Sequence, residues 1–78
     1  MQKFTIRGET LSADKKKIMD ALNGIEPEIV SKYYIEINSK KYPIKQVITQ
    51  TFGIPKLGFT SMDAYNILQK LDFQIKIL

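Results

Sequence analysis

The chain has no cysteine and no histidine. Without cysteine no disulfide can staple the fold, and without either residue imidazole and thiolate metal sites are excluded. The same absences remove the Ser-His-Asp and Cys-His arrangements of nucleophilic catalysis. Runs of apolar residues reach only two or three in length, far short of a bilayer span. Met1 to Gly8 holds no apolar stretch of the kind that opens a secretory signal. Lack of cysteine and of a signal both point to the cytoplasm. Arginine occurs once, at Arg7.

What is present describes one small folded domain. Its 78 residues suit a single unit spanning residues 1–78, one that buries about 60–65% of its unfolded surface. An apolar fraction of 44% with 26% charged residues matches an ordinary soluble globular domain and excludes disorder. The net charge of +4 is unevenly placed. The segment before Ser31 and the segment after Leu57 are each neutral. Between them, Lys32, Lys40, Lys41, Lys45 and Lys56 face Glu36 alone. A concentrated excess of this kind attracts polyanions. Because it is built from lysine, it suits contact with phosphates better than the bidentate base readout that arginine provides.

The element signals run as follows. Lys3 to Arg7 alternates, with Phe4 and Ile6 on one side, and predicts a short strand. Ser12 to Asn23 predicts a helix: Ser12 as cap, Asp14 in the first turn, Leu11, Ile18 and Leu22 on one face, and Gly24 just past the end. Lys15, Lys16 and Lys17 spread around that helix as a solvated face. Glu26-Pro27-Glu28 is a connecting segment whose glutamates read as exposed loop residues rather than an acid pair. Tyr33 to Asn38 alternates as a half-buried strand, Asn38-Ser39-Lys40 turns, and Lys41-Tyr42 starts a return strand that Pro43 ends. Tyr33 reads as core; Tyr34 and Tyr42 stay open between core and base stacking.

Pro43 to Phe52 predicts a second helix, with Ile44, Val47, Ile48, Thr51 and Phe52 on its core face and Lys45, Gln46, Thr49 and Gln50 opposite. Gly53 to Gly58 has phosphate-loop spacing. It is followed by Phe59-Thr60 where such a loop has Lys-Ser/Thr, and it follows a helix, so that reading fails. Thr60 to Leu71 predicts a third helix, with Thr60 and Asp63 as a capping box. Phe73 to Leu78 returns to period two, with Phe73, Ile75 and Ile77 inward. The expected fold is α+β: a small antiparallel sheet of three or four strands packed against three helices, in the order β-α-β-β-α-α-β.

Lys41 to Phe73 carries Tyr42-Pro43-Ile44-Lys45-Gln46-Val47, then Phe59-Thr60-Ser61, Ala64, Ile67-Leu68 and Leu71-Asp72-Phe73. This resembles the small N-terminal head domain of McrA-type HNH restriction endonucleases and related phage-defence modules, whose usual Leu-Gly-Phe is Leu71-Asp72-Phe73 here. The resemblance implies a DNA-associated accessory module of restriction-modification or phage defence. A chain without histidine cannot itself hold an HNH motif.

The resulting expectation is a non-catalytic DNA-binding module with no cofactor, no metal and no membrane partner. Its candidate contacts are Lys40, Lys41, Tyr42, Lys45, Gln46, Lys56, Thr60 and Ser61, with Lys40, Lys41 and Lys45 around the start of the proline-started helix, where phosphate is favoured. On this expectation Lys41→Glu with Lys45→Glu abolishes binding and leaves the fold intact. A helix-turn-helix geometry would instead point Thr60, Ser61 and Asn66 at DNA. The alternative class is a protein-interaction module or small phage or mobile-element inhibitor that docks on a nucleic-acid-handling enzyme. Serine, threonine, lysine and aspartate are present, but no spacing assembles them for catalysis.

Overall fold

The structure, a computed structural model, describes residues 2–6 and 8–78. Arg7, the last residue of the first expected strand, lies outside them. The elements are β1 (Gln2–Ile6), β2 (Glu9–Ala13), α1 (Lys15–Leu22), β3 (Tyr33–Ile37), β4 (Lys40–Pro43), α2 (Ile44–Phe52), a 3-10 turn (Lys56–Gly58), α3 (Ser61–Lys70) and β5 (Lys76–Ile77). The chain is α+β, with two small antiparallel sheets and three helices. The expected order is kept, and β2 is added to it.

Strand β2 takes residues that α1 was expected to begin with. Opposite residues of an antiparallel pair share a face, so Leu11 lies across from Phe4 and Ala13 across from Gln2. Ser12 is therefore a strand residue, and Asp14 is the cap, accepting from the Lys17 N–H at 2.8 Å. A single period-two segment, Glu9 to Ala13, precedes the cap. Phe4 and Ile6 of β1 join the core.

The second sheet has the order β4-β3-β5. Asn38 and Ser39 both take positive φ, as a two-residue hairpin turn requires. Pro43 closes the ladder opposite Tyr34 and is the cap residue of α2, one position before the helix instead of its first residue. Helix α2 packs against both α1 and α3. Ile18, Ile35, Val47, Ile48 and Leu68 are almost completely buried around it. Strand β5 is shorter than the alternation predicted. Phe73 and Ile75 pack on the core, but Ile77 is 66% exposed, so its inward placement is corrected. Among the described residues no helix is long and apolar enough to cross a membrane.

Helix α3 has the predicted capping box. Thr60 Oγ1 accepts from the Asp63 N–H at 3.1 Å, and Asp63 Oδ2 accepts from the Thr60 N–H at 2.9 Å. Its far end is a Schellman turn. The Phe73 N–H donates to the Leu68 carbonyl and the Asp72 N–H to the Gln69 carbonyl, both at 3.0 Å. Asp72 sits at φ 66, where glycine is favoured. A non-glycine residue there costs about 1–2 kcal/mol, and glycine's greater chain entropy costs about 0.5–1. Asp72→Gly is thus expected to stabilise the fold by about 0.5–1 kcal/mol and to raise the melting midpoint by roughly 2–8 °C, read by thermal circular dichroism. An unchanged or lower midpoint would refute the strain at this turn.

Candidate functional site

The geometry of the basic segment starts from a residue that periodicity placed on the open face of α2. Gln46 is 2% exposed. Its Oε1 accepts from the Glu28 N–H at 2.8 Å, and its Nε2 donates to the Glu26 carbonyl at 2.9 Å. Tyr42, 4% exposed, donates its hydroxyl to the Ile25 carbonyl at 2.8 Å. These three bonds lay the loop Ile25–Glu28 across the β4–α2 junction. Gln46 and Tyr42 are therefore corrected as contact residues. The Gln46 amide has no free end for a base, and the Tyr42 ring belongs to the core.

The tethered loop changes the charge map. Glu26 reaches the Lys40 ammonium at 3.4 Å, and Glu28 pairs with Lys56. Glu36 takes Lys76 at 3.3 Å. Acids from the neutral first third thus fold onto the basic middle. All three pairs are substantially exposed, so each contributes about 0–1 kcal/mol and a competing anion can displace it.

Beside the loop lies a groove of about 410 Å³, lined among others by Lys32, Lys45, Lys56, Glu28 and Ser61. The Lys45 ammonium stands 5.1 Å over the Phe59 ring, and that of Lys32 stands 5.0 Å over Tyr33. Such cation–π contacts contribute about 0.5–1 kcal/mol at exposed sites and restrict the long side chains. Among the described residues neither lysine is in an ion pair. Ile44 to Gln46, the first turn of α2, also lines the groove and has no side-chain cap. Its leading backbone N–H groups are left for water or an anion.

The structure divides the remaining candidates. Lys45, Lys56 and Ser61 share this groove. Lys40 and Tyr42 border a separate depression with Met19, Asn23 and Ile37. Lys41 stands on the other face of β4, 5.4 Å over the Tyr34 ring and opposite Glu36. Thr60 is exposed, with its hydroxyl engaged in the cap. Asn66 borders a third cleft, between β1 and α3, with Lys3 and Lys70. Helix α3 does not turn Thr60, Ser61 and Asn66 toward one ligand, which corrects the helix-turn-helix geometry.

Lys32 and Glu28 are groove residues that the sequence reading missed. Lys32 counts in the lysine excess of the middle segment but not among the candidate contacts, and Glu28 carries no local signal. Lys32 arrives through the position of β3 in the sheet, and Glu28 through the Gln46 tether. No match was found among curated proteins or among solved structures. A family model matches residues 8–77, and by that match the chain belongs to the SCO5918-like family.

Proposed function

We propose that the chain is a non-catalytic DNA-binding module that holds the phosphate backbone of a duplex in the Lys32–Lys45–Lys56 groove. The observation that carries this reading is that three lysines line one concave site at the uncapped start of α2. Phosphate is favoured there by the lysine charges and the helix N–H groups acting together. With Arg7 the sole arginine of the chain, the expected binding is sequence-tolerant. The resemblance to McrA-type head domains fits the same reading, in which the module serves a restriction or phage-defence system in the cytoplasm as an accessory to another protein's catalysis.

The test is titration of a labelled duplex across salt. Three phosphate contacts predict a log–log slope of about −2.7 and roughly a 40-fold loss of affinity between 50 and 200 mM salt. A slope near zero, or no binding at low salt, would remove the DNA reading. The protein-docking alternative would then stand on one observation. Ile77, the last residue of the short edge strand β5, and Leu78 after it are 66% and 71% exposed, and the strand offers an edge to another chain.

A further inference from the structure

Single exposed aliphatic side chains are ordinary on protein surfaces. Two of them here are not scattered. Ile29 is 95% exposed and Leu57 is 96% exposed, the highest values among the large apolar side chains of the described residues. Ile29 lines the lysine groove and follows Glu28; Leu57 follows Lys56; and Glu28 and Lys56 are ion-paired. Both sit on braced backbone. The Glu28 N–H is held by buried Gln46. Leu57 is the middle residue of the 3-10 turn, which the Gly58 N–H closes onto the Pro55 carbonyl at 2.8 Å.

We infer that Ile29 and Leu57 are wedges that enter between base pairs while Lys32 and Lys45 hold neighbouring phosphates, so that the module binds duplex DNA in a bent form. The inference rests on the proposed phosphate-binding role of the groove. Charge complementarity selects the occupant. Ile29 lines the lysine groove and Leu57 adjoins its Lys56 in the chain, and a duplex offers a phosphate ridge next to apolar base stacks that an apolar side chain can part. Isoleucine, leucine and methionine are the residue types that proteins insert between base steps, and the kink lets more protein surface be wrapped. Pyrimidine–purine steps open most easily, so the wedges give a preference for TA-containing duplexes over A-tracts without any base hydrogen bond.

The experiment uses a duplex of about 20 base pairs with a dye at each end. Anisotropy reads occupancy and energy transfer between the ends reads bending. At saturation the unmodified chain is expected to raise the transfer efficiency. Ile29→Ala with Leu57→Ala should bind roughly tenfold more weakly with an unchanged salt slope, and should leave the transfer at its free-duplex value. Leu57→Met keeps an apolar wedge and should keep the bend, which carries the test if the double variant unfolds. Binding by the unmodified chain without a change in transfer overturns the wedge and leaves the groove reading standing. So does full bending by the double alanine variant. No binding at low salt sinks both readings. If the double variant instead loses retention on phosphatidylserine vesicles while the duplex stays straight, the pair is a lipid anchor and the wedge is wrong.

Discussion

Gln46→Ala is expected to destabilise the fold by about 2–4 kcal/mol. The side chain is 2% exposed and has both ends of its amide bonded to the loop backbone. Truncation removes both partners at once. It takes the partner from the part-buried Glu28 N–H and Glu26 carbonyl, at about 1 kcal/mol for each hydrogen bond lost, and it leaves a space that the rigid core fills poorly. A domain of this size has a total stability of only about 4–12 kcal/mol, and each kcal/mol moves its melting midpoint by about 4–8 °C. The midpoint is therefore expected to fall by roughly 10–25 °C. Gln50, on the same helix but exposed, is the control: Gln50→Ala should change stability by no more than about 0.5 kcal/mol. Gln46→Glu adds a pH signature. An ionised carboxylate can accept from the Glu28 N–H but has no proton for the Glu26 carbonyl; a protonated carboxyl serves both. The gap between this variant and the unmodified chain should narrow as pH falls. If Gln46→Ala melts within a few degrees of the unmodified chain, the loop is not held by this amide.

That residue also shows how far the sequence could be read. Helix α3 was legible in its start and its buried face, because its cap and its apolar spacing are local features, whereas its stop falls on Asp72, a non-glycine at positive φ. The β3–β4 hairpin was legible for the same reason: alternation and the turn at Asn38-Ser39 need no distant partner. Strand β2 was obscured by two residues competent to cap a helix, Ser12 and Asp14, standing in succession before an apolar helical face. Choosing between them needed the pairing with β1, which is tertiary. Gln46 was misplaced because helical periodicity sorts residues by polarity. A buried amide bonded to a loop eighteen and twenty positions away in sequence looks, in a window, like a solvated one. The lysine excess was legible as an amount and not as a surface. Alternation along β4 put Lys40 and Lys41 on opposite faces. The acids that offset Lys40 and Lys56, Glu26 and Glu28, precede the segment that carries the lysine excess.

Charge reversal across these lysines separates the groove from the rest of the basic surface. Lys32→Glu with Lys45→Glu is expected to weaken duplex binding by about 100-fold or more at low salt. In water-like surroundings an ammonium and a phosphate in contact interact by about 1 kcal/mol, and reversal turns each attraction into a repulsion of similar size. Two sites changed in this way give about 4 kcal/mol. The fold should survive, since neither lysine is in an ion pair among the described residues and only the contacts over Tyr33 and Phe59 are lost, at about 0.5–1 kcal/mol each. Lys41→Glu, on the outer sheet face over Tyr34, should cost less than about threefold. The pairing of Lys41 with Lys45 expected from sequence should thus resolve into a large effect at Lys45 and a small one at Lys41. Glu28→Gln should act in the opposite direction. It frees Lys56 from an exposed ion pair that contributes at most about 1 kcal/mol, so affinity should rise by up to about fivefold. Anisotropy titrations at two salt concentrations, with thermal melts of each variant, decide the matter. If Lys41→Glu loses as much affinity as the groove pair, phosphate binds the outer face of the β4-β3-β5 sheet and the groove is not the site. If Glu28→Gln weakens binding, the carboxylate is no competitor of phosphate, and Lys56 holds the groove in shape instead of holding DNA.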